Sequence, residues 1–139
     1  MHDAADAVGL DSKARQVLAP ALAVAVPVVA YLATVSASSY WLDAGELVAQ
    51  GRDFGISHPP GHPLFGVLAT AAGLLPLGSL AFRVALLSAG CVGLACFFFY
   101  RSARRTLDTM RLAPGLAGVL AVATTWLTAG STGWWLQAV

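Results

Sequence analysis

Between Tyr40 and Pro63 the chain reads YWLDAGELVAQGRDFGISHPPGHP, and most of its chemically capable side chains fall there. Asp43 and Glu46 are three residues apart; His58 and His62 are four apart, interleaved with Pro59, Pro60 and Pro63. The acid pair has three readings. As D-x-x-E it is a capping box, with Asp43 at the N-cap of a helix and Glu46 reaching back to its backbone N–H. Beside lipid, where low dielectric raises the proton affinity of a carboxylate, one acid can serve as a general base. Together the two could help hold a divalent cation. Spacing alone leaves these open.

The histidine spacing does not read as a zinc site, because the prolines forbid the helix that would turn both rings to one side. It reads either as a proline-stiffened turn with solvated imidazoles, or as a rigid loop whose imidazoles and free backbone N–H groups meet an anion such as a phosphate. Arg83, further on, is costly to leave beside an apolar segment. It can snorkel to an interface, pair with Asp43 or Glu46, or bind the same phosphate. Arg52 and Asp53 read as solvated loop charges.

The segments around this stretch must position it. The 139 residues are 58% hydrophobic and 11% charged, against roughly 25% charged in a soluble domain. A water-exposed fold of that composition would present large apolar patches, so the class is a membrane protein. The net charge of +1 excludes a polybasic nucleic-acid binder. Cys91 and Cys96 lie inside an apolar run and read as small buried hydrophobes.

Residues 1–15 are polar and mixed in charge, and read as a cytoplasmic tail. Gln16 to Leu42 carries no formal charge, and a span of about 20 residues fits at about 17–36. Pro20 falls in its first turns and Pro27 is expected to kink it. A cleaved signal peptide is the alternative for this segment, but its acidic leader and long apolar run argue against that. Tyr40 and Trp41 are expected to anchor the exit at the interface. Asp43 to Asp53 is expected to be a short helix with Asp43, Glu46 and Gln50 on one face and its end bracketed by Gly51 and Gly55. Ile56 to Pro63 is expected not to be regular helix, because Pro59, Pro60 and Pro63 restrict both themselves and their predecessors. Leu64 to Leu75 is apolar, but at roughly 18 Å it is too short to cross a core of about 30 Å. Two further spans are expected at about 80–100 and 113–135.

The basic residues orient these elements. Lys13 and Arg15 precede the first span; Arg101, Arg104, Arg105 and Arg111 lie between the last two. Placing both groups in the cytoplasm requires an even number of crossings between them. Leu64 to Leu75 then lies on or dips into the outer leaflet, and the loop 37–79 is extracytoplasmic. The arginines after Tyr100 also meet lipid headgroups. The expected fold is therefore all-α and polytopic, with a membrane domain over 16–139, about three transmembrane helices, and short juxtamembrane helices in the first outer loop.

DAGEL followed by HPPGHPL, between an apolar span and LLPLGSLAFRVALLSA, resembles the amino-terminal part of a bacterial family of membrane proteins. That family lies near the protein O-mannosyltransferases, among glycosyltransferases of the GT-C fold. The resemblance covers about Val17 to Val139. It implies an inverting membrane glycosyltransferase of the bacterial inner membrane. Such an enzyme takes its sugar from a polyprenyl-phosphate-linked donor and passes it to a hydroxyl of a protein or glycan outside the cytoplasm. It implies that Asp43 deprotonates the acceptor and that Glu46 supports it or a cation. His58, His62 and Arg83 are then inferred to lie near the lipid phosphate. Relatives of this type have many more spans, so the chain is expected to be a fragment. The alternatives are a non-catalytic scaffold or assembly subunit, in which DAGEL is only a cap, and a transporter fragment using the acids as an ion site.

Overall fold

A computed structural model describes residues 12–35, 44–56 and 62–133. Among these the chain is helical, without strands. Its helices are α1 (Ser12–Thr34), α2 (Ala44–Asp53), α3 (Pro63–Gly73), α4 (Leu80–Thr109) and α5 (Pro114–Ala129). Two are long and apolar enough to cross a bilayer, Gln16–Thr34 within α1 and Leu80–Thr109. Only 17% and 22% of their most apolar stretches are buried, whereas a soluble protein's core helix would be mostly covered. Val17, Val29, Leu94 and Phe98 are among the exposed side chains. Apolar surface on this scale is at home in lipid, so the chain is membrane-associated.

The chain divides into two compact units. Among the described residues one comprises 12–30 with 92–133, the other 31–35, 44–56 and 62–91. In the first, α1, the later part of α4 and α5 pack around Ala23, Tyr100 and Ala121, with Ala19, Ala103, Leu107 and Val122 against them. Small residues let the backbones close up: a methyl on Gly93 would stand 2.7 Å from Val28 Cγ2. The Trp126 indole donates to the Leu22 carbonyl across 3.1 Å, tying α5 to α1. Thr124, Thr125 and Thr128 turn their hydroxyls back to carbonyls of their own helix, which lets α5 carry them among apolar neighbours.

α5 has 16 residues, about 24 Å, so among the described residues it is a shorter apolar helix and not one of the two long enough to cross a bilayer; Gly130 follows as its C-cap. Helical backbone returns at Thr132–Gly133, the last described residues. Two expectations change. Cys96 is buried but Cys91 is exposed, because Cys91, Leu94 and Phe98 share the outward stripe of α4. α2 ends at Asp53, between Gly51 and Gly55 as expected, and Phe54 takes the left-handed conformation (φ 51°) usually given to glycine. Pro63 joins the helix that follows it, as the first residue of α3. Tyr40 and Trp41 lie outside the described residues.

Candidate functional site

The acid-bearing helix is where the sequence pattern places it. α2 begins at Ala44 with Glu46 in its first turn, where a carboxylate complements the helix dipole. Glu46 is exposed. Asp43, one position before the helix, lies outside the described residues, as does His58. Arg52 and Asp53 form a neighbouring-residue pair 3.8 Å apart with both side chains exposed, an arrangement that contributes little to stability.

α2 packs on α3, and the contact is made of backbone and small residues. A methyl on Gly51 would stand 2.9 Å from Ala69 Cβ. One on Gly66 would stand 2.6 Å from the Gln50 side-chain nitrogen. Gln50 and Ala69 are buried there. Glu46 lies one helical turn before Gln50, and His62 lies four residues before Gly66, whose N–H bonds the His62 carbonyl at 3.0 Å. The contact thus joins the helix carrying Glu46 to the helix that His62 caps.

His62 is exposed and left-handed (φ 40°, ψ 53°), with Pro63 behind it. A non-glycine residue rarely adopts that conformation. The residue before a proline is kept out of the right-handed helical region, so α3 starts at Pro63 and not before it. The imidazole therefore stands at the positive end of a helix dipole, a setting compatible with an anion.

Arg83 sits elsewhere. Its guanidinium donates to the carbonyls of Gly73 and Gly78, the latter at 3.4 Å, and its Nε to that of Ser79 at 3.3 Å. It therefore covers the C-terminal end of α3 and the turn into α4, where a cation also complements the helix dipole. α3 has 11 residues and is about 16 Å long, so His62 and the Arg83 guanidinium mark its opposite ends. The sequence reading missed Ser79, whose hydroxyl accepts the Phe82 N–H at 3.1 Å and caps α4. Its S-x-x-F context lacks the acid that would have completed a capping box. Among the described residues no three histidine, cysteine or carboxylate side chains cluster as metal ligands.

Residues 43–139 match the family described as Protein O-mannosyl-transferase TMEM260 N-terminal domain. The chain belongs to this family. The TMEM260 family match starts at Asp43 itself and takes in both the acid pair and the histidine turn. The chain is similar to "Protein O-mannosyl-transferase TMEM260" of Mus musculus, 43% identical over 60 residues, which are 41% of this chain and 8% of the relative. It is also similar to the Dictyostelium discoideum protein of the same description, 36% identical over 61 residues, 42% of this chain and 7% of that one. The matched stretch is thus less than a tenth of either relative's length. No solved structure matches the chain.

Proposed function

We propose that this chain is the acid-bearing amino-terminal portion of a GT-C-type membrane glycosyltransferase, which transfers a sugar from a polyprenyl-phosphate-linked donor to an acceptor hydroxyl outside the cytoplasm. The observation that carries the reading is the family match over residues 43–139, which opens on the acid motif. The relatives are described as protein O-mannosyl-transferases, which puts mannose and a protein hydroxyl first among donor sugars and acceptors. Two exposed apolar helices, one on each side of the acid loop, suit a donor that stays in the bilayer by its tail.

In this mechanism Asp43 takes the proton of the acceptor hydroxyl as its oxygen attacks the anomeric carbon. The bond from that carbon to the donor phosphate breaks, and the phosphate leaves with the bonding pair on the face opposite attack, inverting the centre. Glu46 supports Asp43 or helps hold a cation. His58 and His62 supply donors to the phosphate as its charge grows. The chain crosses the membrane several times with its amino terminus in the cytoplasm and 37–79 outside.

The test is Asp43→Asn in the full-length protein in its native membrane, measured as sugar transfer from a polyprenyl-phosphate donor. Loss of a general base lowers turnover by about a hundredfold or more. Unchanged turnover removes Asp43 from the chemistry and leaves DAGEL as a helix cap in a scaffold.

A further inference from the structure

We propose that Arg83 is a positioning residue: by clamping the end of α3 it holds the acid-bearing helix α2 at a fixed place relative to α4, and it is not a ligand of the donor phosphate. The activity arm of this proposal rests on the glycosyltransferase reading; the geometry does not.

The carbonyls at the end of α3 show what Arg83 is for. Those of Ala71 and Ala72 receive the Leu74 and Leu75 N–H groups, each at 3.1 Å. The Gly73 carbonyl receives the Arg83 guanidinium. The remaining guanidinium bonds fall on Gly78 and Ser79, so one planar fork closes the whole turn from the last residue of α3 to the cap of α4. A lysine ammonium has no such fork and cannot hold the three carbonyls with one rigid group.

Gly73 is also where three helices meet. A methyl there would stand 3.3 Å from Leu80 Cδ1 on α4 and 3.6 Å from the Gly51 carbonyl on α2. From Gly73 the linkage to the acids runs through short contacts. Ala69 lies against Gly51, and Gly66 against Gln50, with no long flexible side chain except the buried Gln50 to absorb a displacement. A shift of the α3 end is therefore passed to α2, and so to Glu46 and the helix start beside Asp43. The phosphate role fares worse on the same geometry. The guanidinium stands at the far end of α3 from His62, about 16 Å of helix away, and would have to leave its carbonyls to reach an anion there.

The experiment uses the full-length protein with Arg83→Lys and Arg83→Gln. Spin labels are placed on exposed Cys91 of α4 and on Ala49→Cys at an exposed position of α2, other reactive cysteines being replaced. Pulsed electron resonance should give one narrow distance with Arg83 and a clearly broadened one in both variants. An unchanged distance overturns the clamp, whether or not the protein proves to be a glycosyltransferase. In transfer assays both variants should lose more than tenfold in kcat with the KM for the lipid donor within twofold. A raised donor KM that Arg83→Lys restores would assign the guanidinium to the phosphate and overturn the proposal. Arg83→Lys keeps the charge at the helix end, so it tests geometry in a protein that still folds.

Discussion

Gly51 and Ala69 approach so closely that a methyl group on Gly51 would stand 2.9 Å from the Ala69 Cβ and 3.2 Å from its carbonyl carbon. The obstacle includes backbone, which cannot rotate away. Gly51→Ala should therefore force α2 off α3, destabilising the solubilised protein by about 1–3 kcal/mol and lowering transfer activity with it. Gly55 has nothing within 4 Å of an added methyl, so Gly55→Ala should leave the melting temperature within about a degree or two, as for a surface change. Equal effects of the two substitutions in a thermal-shift assay would refute the close contact.

Gly66 and Gln50 offer a different test, because here the obstacle is a side chain. An alanine at 66 would press on the Gln50 amide from 2.6 Å, and Gln50 is 5% exposed, so its amide has little room to move. The cost of Gly66→Ala should fall once Gln50→Ala has emptied the space. A double-mutant cycle on thermal stability should show coupling of about 0.5–3 kcal/mol. Strict additivity would mean that the two residues do not touch.

Much of this was legible in the sequence, and what was not has identifiable causes. Charge-free apolar length announced α1 and α4, and the prolines kept Ile56 out of a helix but not Pro63, which starts α3. The spacing of Asp43, Glu46 and Gln50 announced α2 but not which neighbour its polar face would meet. Gly51 and Gly55 marked where α2 ends, but a glycine at a helix–helix crossing has no signal of its own, so the approach of Gly51 to Ala69 was not legible. Arg83 was read by its charge, since nothing in LAFRVALL shows that the end of α3 returns to it. Hydropathy continues past Gly130 with no sign that α5 stops at Ala129. Asp43 and His58 remain outside the described residues, and their part in the site rests on the motif.

The Trp126 indole bond to the Leu22 carbonyl joins residues 104 apart in sequence. Trp126→Phe keeps most of the ring and removes the donor. Hydrogen bonds between membrane helices are worth about 0.6 kcal/mol on average and seldom above about 1.7, so the loss should be of that size. It should appear as a small drop in thermal stability in detergent, larger than for Leu127→Ala, since Leu127 is 76% exposed. No difference between the two would remove this bond from what holds α1 to α5.

Arg104 is the first unit's counterpart to Arg83, and its two contacts can be separated. Its Nε faces Asp108 at 3.2 Å, and its Nη1 donates to the Pro114 carbonyl at 2.7 Å across the turn from α4 to α5. Gly118 gives it room, since a methyl there would stand 3.0 Å from the same nitrogen. The Asp108 side chain is 50% exposed, so the ion pair should contribute little, under about 1 kcal/mol, and weaken in salt. The carbonyl bond is also exposed, but it uses a charged donor and joins two helices, so it should matter more, about 1–1.5 kcal/mol. Asp108→Asn should thus be nearly silent in thermal denaturation, and silent altogether in high salt, while Arg104→Ala destabilises at every ionic strength. If Asp108→Asn cost as much as Arg104→Ala, the ion pair rather than the bond to Pro114 would be holding the α4–α5 turn.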